Sequence, residues 1–381
     1  MEKADGKKTG HQIINYSASI LKRLDIYIIQ KYLGTFFFSM LLITMVAIVI
    51  DFPERIDHFI NESVTFKEIL FDYYLNFIPW INAILWPLFA LIAVIFFTSR
   101  LAKDTEFVAM LSSGISYYRL LLPYLAGALV IASLHWTGNN YIVPKSTRIK
   151  AEFENKYIYK ANQKVDSDNV QFMLDPQSIA FLRYYRYRDT SAIDFRIETY
   201  DGQKMVKYLS AQRIKFKKEP NIWTIEDYYI RTISGKREML KVKRGESLDT
   251  MLNLVPKDFV RYKNQREMMT SSEMRELIKY ERQKGISTAN NLVVELQRRN
   301  ADSVTILILT IIGFAIASRK SREGTGLNLA LGAGIGAIFV VTSRFAIAFS
   351  NSLAIDPVIG AWIPNLFFGL LSVLLLFKAQ Q

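Results

Sequence analysis

Six apolar stretches of 15 to 25 residues, with one charged side chain among them all, constrain this chain more than any other feature. A helix needs about 20 mostly apolar residues to cross a bilayer core, where each backbone polar group must find its partner within the segment. Tyr32 to Ile50, Tyr74 to Thr98 and Leu120 to Trp136 come first. Val304 to Ser318, Gly326 to Phe349 and Val358 to Phe377 follow. Any one of these could be a buried core helix, but six in a chain of 381 residues, each flanked by charge, predict an integral membrane protein.

The first block starts after 31 polar and amphipathic residues and is followed by Asp51-Phe52-Pro53 rather than a small-residue cleavage site, so it reads as an uncleaved span. Before it, Ile13 to Gln30 suits a helix lying in the inner interface before the chain turns across. Lys and Arg in the short loops set the orientation. Residues 1–31 hold six Lys/Arg, residues 99–119 hold three, and residues 319–325 hold Arg319, Lys320 and Arg322. Loop 51–73 has two bases against six acids, and loop 350–357 has only Asp356. Basic and non-basic loops alternate, which places both termini in the cytoplasm and 137–303 outside.

The outward segment lacks a spanning block. Ser178 to Arg186, Ala192 to Tyr200, Met205 to Ile214, Ile222 to Ile230 and Lys236 to Lys243 read as strands separated by turn signals such as Asp201-Gly202 and Ser234-Gly235. Their spacing predicts a sandwich or an open, jelly-roll-like barrel. Helical patterns return at Ser272 to Lys284, with Gly285 as a stop, and at Ser287 to Arg299. The expected fold is a membrane α-helical protein with an inserted all-β domain, α+β overall. It comprises an N-terminal membrane half (1–144: an interfacial helix, spans 32–50, 74–98 and 120–136, and a loop helix over 100–114), a β domain (145–268), connecting helices (269–303) and a C-terminal membrane half (304–381: spans 304–318, 326–349 and 358–377).

The net charge of +13 would suit a nucleic-acid binder if it were spread over a soluble surface. Instead, residues 145–302 carry 32 Lys/Arg against 22 acids, so the excess lies on the inserted domain. That domain is either a solvated basic surface or one that attracts an anionic glycolipid, and no nucleic-acid partner is expected. The absence of cysteine removes disulfides, thiolate metal sites and cysteine catalysis. No phosphate-binding loop is present, and His11, His58 and His135 lie too far apart for metal spacing. Gly332, Gly334 and Gly336 resemble a dinucleotide loop but lie inside a span, where small residues let helices pack closely. No catalytic residues, metal or cofactor are expected, and the chain does not read as an enzyme.

Arg344 is the one charge inside a predicted span, ~27 Å past the inner end of the fifth. It reads as a snorkelling anchor or as an anion contact at outer headgroup depth. With no acids in mid-span, a gradient-driven secondary transporter has no evident machinery. The loop Arg100-Leu-Ala-Lys-Asp-Thr-Glu106-Phe-Val-Ala-Met-Leu-Ser-Ser-Gly114 is the most informative short stretch. Asp104 or Thr105 can cap a helix there and Gly114 can end it. Phe107, Val108, Met110 and Leu111 form an apolar stripe that could lie on lipid or dock into a partner's groove, with Glu106 as polar anchor.

This loop, together with Trp86-Pro87, resembles the hallmark of the lipopolysaccharide export permeases LptF and LptG (the YjgP/YjgQ family). Leu24-Asp-Ile-Tyr27, Ala211, Trp223, Met269 to Leu277, Glu295-Leu-Gln-Arg-Arg299 and Ala361-Trp-Ile-Pro-Asn365 extend the resemblance over nearly the whole chain. The start and the Ala361 to Asn365 motif lean towards LptG. The resemblance implies a bacterial inner-membrane protein with its β domain in the periplasm. It would pair with an LptF/LptG-type paralogue around a cavity open to the outer leaflet. It also implies a dimeric LptB ATPase docked on the loop helix, using ATP itself, and export of lipopolysaccharide through the β domains to LptC and the LptA bridge. The matching coupling positions are Arg100, Glu106, Phe107, Met110 and Gly114, and the implied lipid path runs past Phe37, Met40, Arg55 and Arg344.

One stretch departs from the family pattern. The family carries bases at the outer end of span one, whereas Asp51-Phe-Pro-Glu54-Arg55-Ile-Asp57-His58 is mostly acidic here. Arg55 with Arg344, a glycolipid poorer in phosphate, or the paralogue's charges would each answer this, as would a merely solvated loop. A different class of function, a non-transporting transducer between a cytoplasmic ATPase and cell-envelope machinery, fits the same loop helix and outward domain.

Overall fold

A computed structural model describes residues 6–62, 64–158, 164–165, 168–186, 189–202, 204–218, 220–235, 237–256, 261–262, 265–283, 289–318, 325–352 and 354–379. Gly285 and the bases at 319–322 lie outside these. The chain divides into a helical unit, residues 1–150 and 293–381, and a β-rich unit, residues 151–292.

The helical unit opens with α1 (Gly6–Asn61), which passes without a break through the first apolar block and Pro53. The separate interfacial helix expected over residues 13–30 is thereby corrected: nothing between it and the span stops a helix. After the short α2 (Phe66–Glu68), capped by a reciprocal Thr65–Glu68 box, a π-helical stretch (Ile69–Tyr74) leads into α3 (Leu75–Lys103). The Asn76 amide donates to the carbonyls of Phe71 at 2.8 Å and Asp72 at 3.2 Å, which satisfies acceptors in this wide turn. Next come α4 (Glu106–Ser112) and α5 (Tyr117–Thr137), then a second π-helical stretch (Gly138–Ile142) and α6 (Val143–Tyr157). Helix therefore extends to Tyr157, and the expected start of the β domain at 145 moves inward accordingly. The unit closes with α9 (Ala289–Ala317), α10 (Thr325–Asn351) and α11 (Pro357–Ala379). Among the described residues, six helices are long and apolar enough to cross a membrane.

Two apolar clusters hold these helices together. One joins Ile28, Tyr32 and Phe36 of α1 to Phe97 of α3, Tyr124 of α5 and Phe314 of α9. The other joins Leu91 and Ile95 of α3 to Leu309 and Ile312 of α9, Phe339 of α10 and Phe368 of α11. Helices α3 and α9 belong to both and form the spine. Because lipid is as apolar as leucine, close fit and hydrogen bonds must supply the association energy. Tyr32 Oη and Thr310 Oγ1 lie 2.9 Å apart across α1 and α9, and Asn328 donates to Ser99 Oγ at 2.9 Å across α10 and α3. Gly332 and Gly336 sit where a Cβ would meet Ile95 and Leu88 of α3, whereas Gly334 has nothing within 4 Å. The three glycines are thus a packing stripe with one open member.

In the β-rich unit, β1 (Lys164–Val165) pairs with β8 (Arg261–Tyr262). A second sheet runs through β2 (Asp168–Asp175), β3 (Ser178–Arg186), β4 (Ser191–Asp201), β5 (Lys204–Lys218), β6 (Ile222–Ser234) and β7 (Arg237–Met251). All neighbours are antiparallel and in chain order, so this is one open meander rather than a sandwich. Side chains alternate across it, as the two-residue period of a strand requires. Ala180, Leu182, Phe195, Ala211, Ile214, Trp223 and Ile225 are buried together, and the Trp223 indole donates to Leu254 O at 3.0 Å. The unit also holds α7 (Gln265–Met268) and α8 (Ser271–Gln283).

The glycine stripe makes a direct prediction. Gly332→Leu should destabilise the detergent-solubilised chain by about 1–3 kcal/mol through overpacking against α3, with Gly334→Leu near neutral. Thermal unfolding of the two variants checks this.

Candidate functional site: the helix between α3 and α5

Chain geometry fixes α4 tightly. Helix α3 ends at Lys103, and Asp104 and Thr105 turn the chain through a left-handed Thr105 (φ 63°) whose hydroxyl donates to Asp104 O at 2.7 Å. A β-branched residue in that region is strained, so the tight turn holds it there. Thr105 occupies the position before the helix but makes no side-chain cap; Glu106 supplies the negative charge favoured in a first turn. Gly114, at φ 88°, ends the segment, and Ser116 then accepts from the Arg119 amide to begin α5. The helix itself spans only 106–112; residues 100–103 belong to α3, which corrects the expected 100–114 element.

The apolar stripe is corrected as well. Phe107 is 2% exposed and packs edge-on to Phe314 and Tyr117, at 5.9 and 6.4 Å between ring centroids. Met110 packs partly buried against the same cluster. Val108 and Leu111, three apart, are exposed, and so is Glu106 at the start of the helix. Residues three apart share a side of a helix, so tertiary contact divides the stripe into an anchoring pair and an outward pair. Arg100 is exposed, with Asp104 at 3.8 Å.

Helix α1 also reaches this loop. Tyr27 Oη donates to Glu106 Oε2 at 3.2 Å, and Arg119 donates twice to Asp25, at 2.9 and 2.6 Å. Nothing in the local pattern at Asp25 or Tyr27 announces these contacts, because their partners lie 94 and 79 residues away. At the same end, Tyr117 Oη and Ser318 Oγ are 3.0 Å apart.

The residues expected on a lipid path are dispersed. Phe37 is exposed on α1, while Met40 packs partly against the first cluster. Arg55 is partly buried, its Nε 3.6 Å from Asp51, which also accepts from Tyr73 Oη at 3.1 and 3.0 Å. The acidic stretch after span one therefore begins with a carboxylate that ties α1 to the π-helical turn. Arg344 is exposed on α10. Helices α1 and α10 are the spans least covered by their own chain, and Phe38, Met45 and Val49 on one and Ile338, Val341 and Phe345 on the other are exposed.

At the far end of α9, two sequence motifs meet. Trp362 donates to Gln297 Oε1 at 3.2 Å, and Asn365 donates to Ala301 O at 2.7 Å and accepts from Thr305 at 2.7 Å. Within the Glu295 to Arg299 motif, Arg298 forks onto Glu295 at 2.8 and 2.9 Å, and buried Arg299 reaches the same carboxylate at 3.1 Å. Buried His135 bridges Ser303 at 3.0 Å and Ala83 O at 3.2 Å, and its ring lies 5.5 Å from Trp86. These polar groups sit within an apolar bundle and satisfy one another, as burial demands.

Comparison with known proteins matches the chain to a family model. The profile of the family described as "Lipopolysaccharide export system permease LptF/LptG" covers residues 26–378. The chain belongs to this family. It is also similar to the lipopolysaccharide export system permease protein LptG of Haemophilus influenzae, 21% identical over 357 residues, covering 92% of this chain and 96% of that protein. As a family member it is the membrane permease component of a lipopolysaccharide export system.

The anchoring role of Phe107 is testable. Phe107→Ala should cost about 3–5 kcal/mol by leaving a cavity against Phe314. Val108→Ser, on the outward side, should leave thermal stability in detergent within about 0.5 kcal/mol of the parent.

Proposed function

We propose that this chain is one of two paired permease subunits of an ATP-driven lipopolysaccharide exporter of the bacterial inner membrane. Both termini and α4 face the cytoplasm, and the β-rich unit faces the periplasm. The single observation that carries the reading is α4 itself. It is a short helix rooted in the bundle by Phe107 that turns Glu106, Val108 and Leu111 outward. The exposed apolar pair Val108 and Leu111, with the Glu106 carboxylate and Arg100 exposed near the helix's start, suits the groove of a docked LptB-type ATPase. Hydrolysis there would drive the paired spans to close and move glycolipid towards the basic β-rich unit, then to LptC and the LptA bridge. The exposed apolar faces of α1 and α10 support a paralogue and lipid as their neighbours. Phe37 and Met40 would lie on the glycolipid's path, with Arg344 at headgroup depth; Arg55, drawn to Asp51, would shape that end of span one.

Glu106→Ala with Val108→Ser should weaken ATPase association or separate hydrolysis from export in the reconstituted complex. Depletion of the chain should leave lipopolysaccharide in the inner membrane. Unchanged assembly and export in the double variant would refute the docking role. Normal lipopolysaccharide delivery after depletion would favour the transducer reading instead.

A further inference from the structure

The loop helix is held from two directions, and only one of them is packing. Phe107 roots α4 against α9, as described above. The other hold is polar and comes from α1: both nitrogens of the Arg119 fork meet both oxygens of Asp25, at 2.9 and 2.6 Å, and Tyr27 donates to Glu106 at 3.2 Å. The two residue pairs bracket the loop. Glu106 is the first residue of α4, and Arg119 lies in the first turn of α5 just beyond it. A bidentate guanidinium–carboxylate pair fixes direction as well as distance, and this one is two-thirds shielded, its side chains being 33% and 28% exposed.

What lies along α1 gives these contacts a mechanical meaning. Just past the latch, Ile28, Tyr32 and Phe36 are buried, whereas from Phe37 to Phe52 most of the large side chains are exposed. The helix is unbroken, so a tilt imposed at Tyr27 is carried towards Phe52, ~38 Å away, and works against the ties that Thr44 makes to Asn82 and Asp51 to Tyr73.

We propose that Asp25 and Tyr27 are positioning residues that latch span one to the loop helix, so that displacement of α4 passes directly to α1. The inference rests on the proposed ATPase docking at α4. It adds that the stroke has a polar route into span one beside the apolar route through Phe107 and α9. Tyr27 is the finer element, because it touches the same carboxylate that faces the partner. Docking that draws Glu106 away would release Tyr27, and docking that leaves it in place would pull α1 along.

The test uses the full complex in proteoliposomes, measuring ATP hydrolysis and ATP-dependent release of lipopolysaccharide to an acceptor protein. Asp25→Ala and Arg119→Ala should each hydrolyse ATP within about twofold of the parent while export per ATP falls about tenfold, the equivalent of losing one charged hydrogen-bonded contact. The exchange Asp25→Arg with Arg119→Asp should recover most of the loss, and Tyr27→Phe should fall between. Unchanged export per ATP in the single variants would overturn the latch. So would a parallel loss of assembly, hydrolysis and export that the exchange does not rescue, since that marks a contact needed only for folding. If the parent complex hydrolyses ATP without any export, the exporter reading fails, whatever the latch variants do.

Discussion

The packing of α3 against α9 is the contact on which the membrane unit depends. Leu91 and Ile95 from α3 and Leu309 and Ile312 from α9 lie in one cluster, and Ala90, Val94, Phe97, Ile306 and Phe314 lie in the other. Every remaining span leans on this pair from one side. Helices α1 and α5 join through Tyr32 and Tyr124, and α10 and α11 through Phe339 and Phe368. Such packing gains little from the hydrophobic effect in lipid, which is why glycines at Gly332 and Gly336 and polar pairs such as Asn328–Ser99 recur at the seams.

The same pair explains how a seven-residue helix can serve as a firm contact point. Alone, α4 is far too short to be stable in water. Phe107 inserts next to Phe314, so the spine itself sets the helix's orientation. Glu106, Val108 and Leu111 then face outward as a consequence of what faces inward. Force applied to that surface enters the bundle beside Phe314, at the opposite end of α9 from the polar meeting of Trp362, Asn365 and the Glu295 motif.

Much of this was legible in the sequence, for identifiable reasons. Hydropathy is a local property, so the six spans could be read directly, and five of the strands followed from their β-branched and aromatic residues between turn signals. What escaped was non-local or polar. Helix α6 continues span three through Lys145, Arg148 and Lys150, whose charge reads as the end of an apolar block. The division of Phe107 from Val108 depends on Phe314, two hundred positions away, which no seven-residue pattern encodes. Asp25 and Tyr27 could be quoted as part of a family motif, but their work is visible only once Arg119 and Glu106 stand beside them. Arg55 looked available to an anion until Asp51 was seen 3.6 Å from it.

Affinity purification of the full chain from its native membranes tests the central claim most directly. The account predicts that a cytoplasmic ATPase and a second six-span homologue co-purify in fixed proportion, with lipopolysaccharide bound. Recovery of the chain alone, from cells that still deliver lipopolysaccharide to the outer membrane, would contradict it.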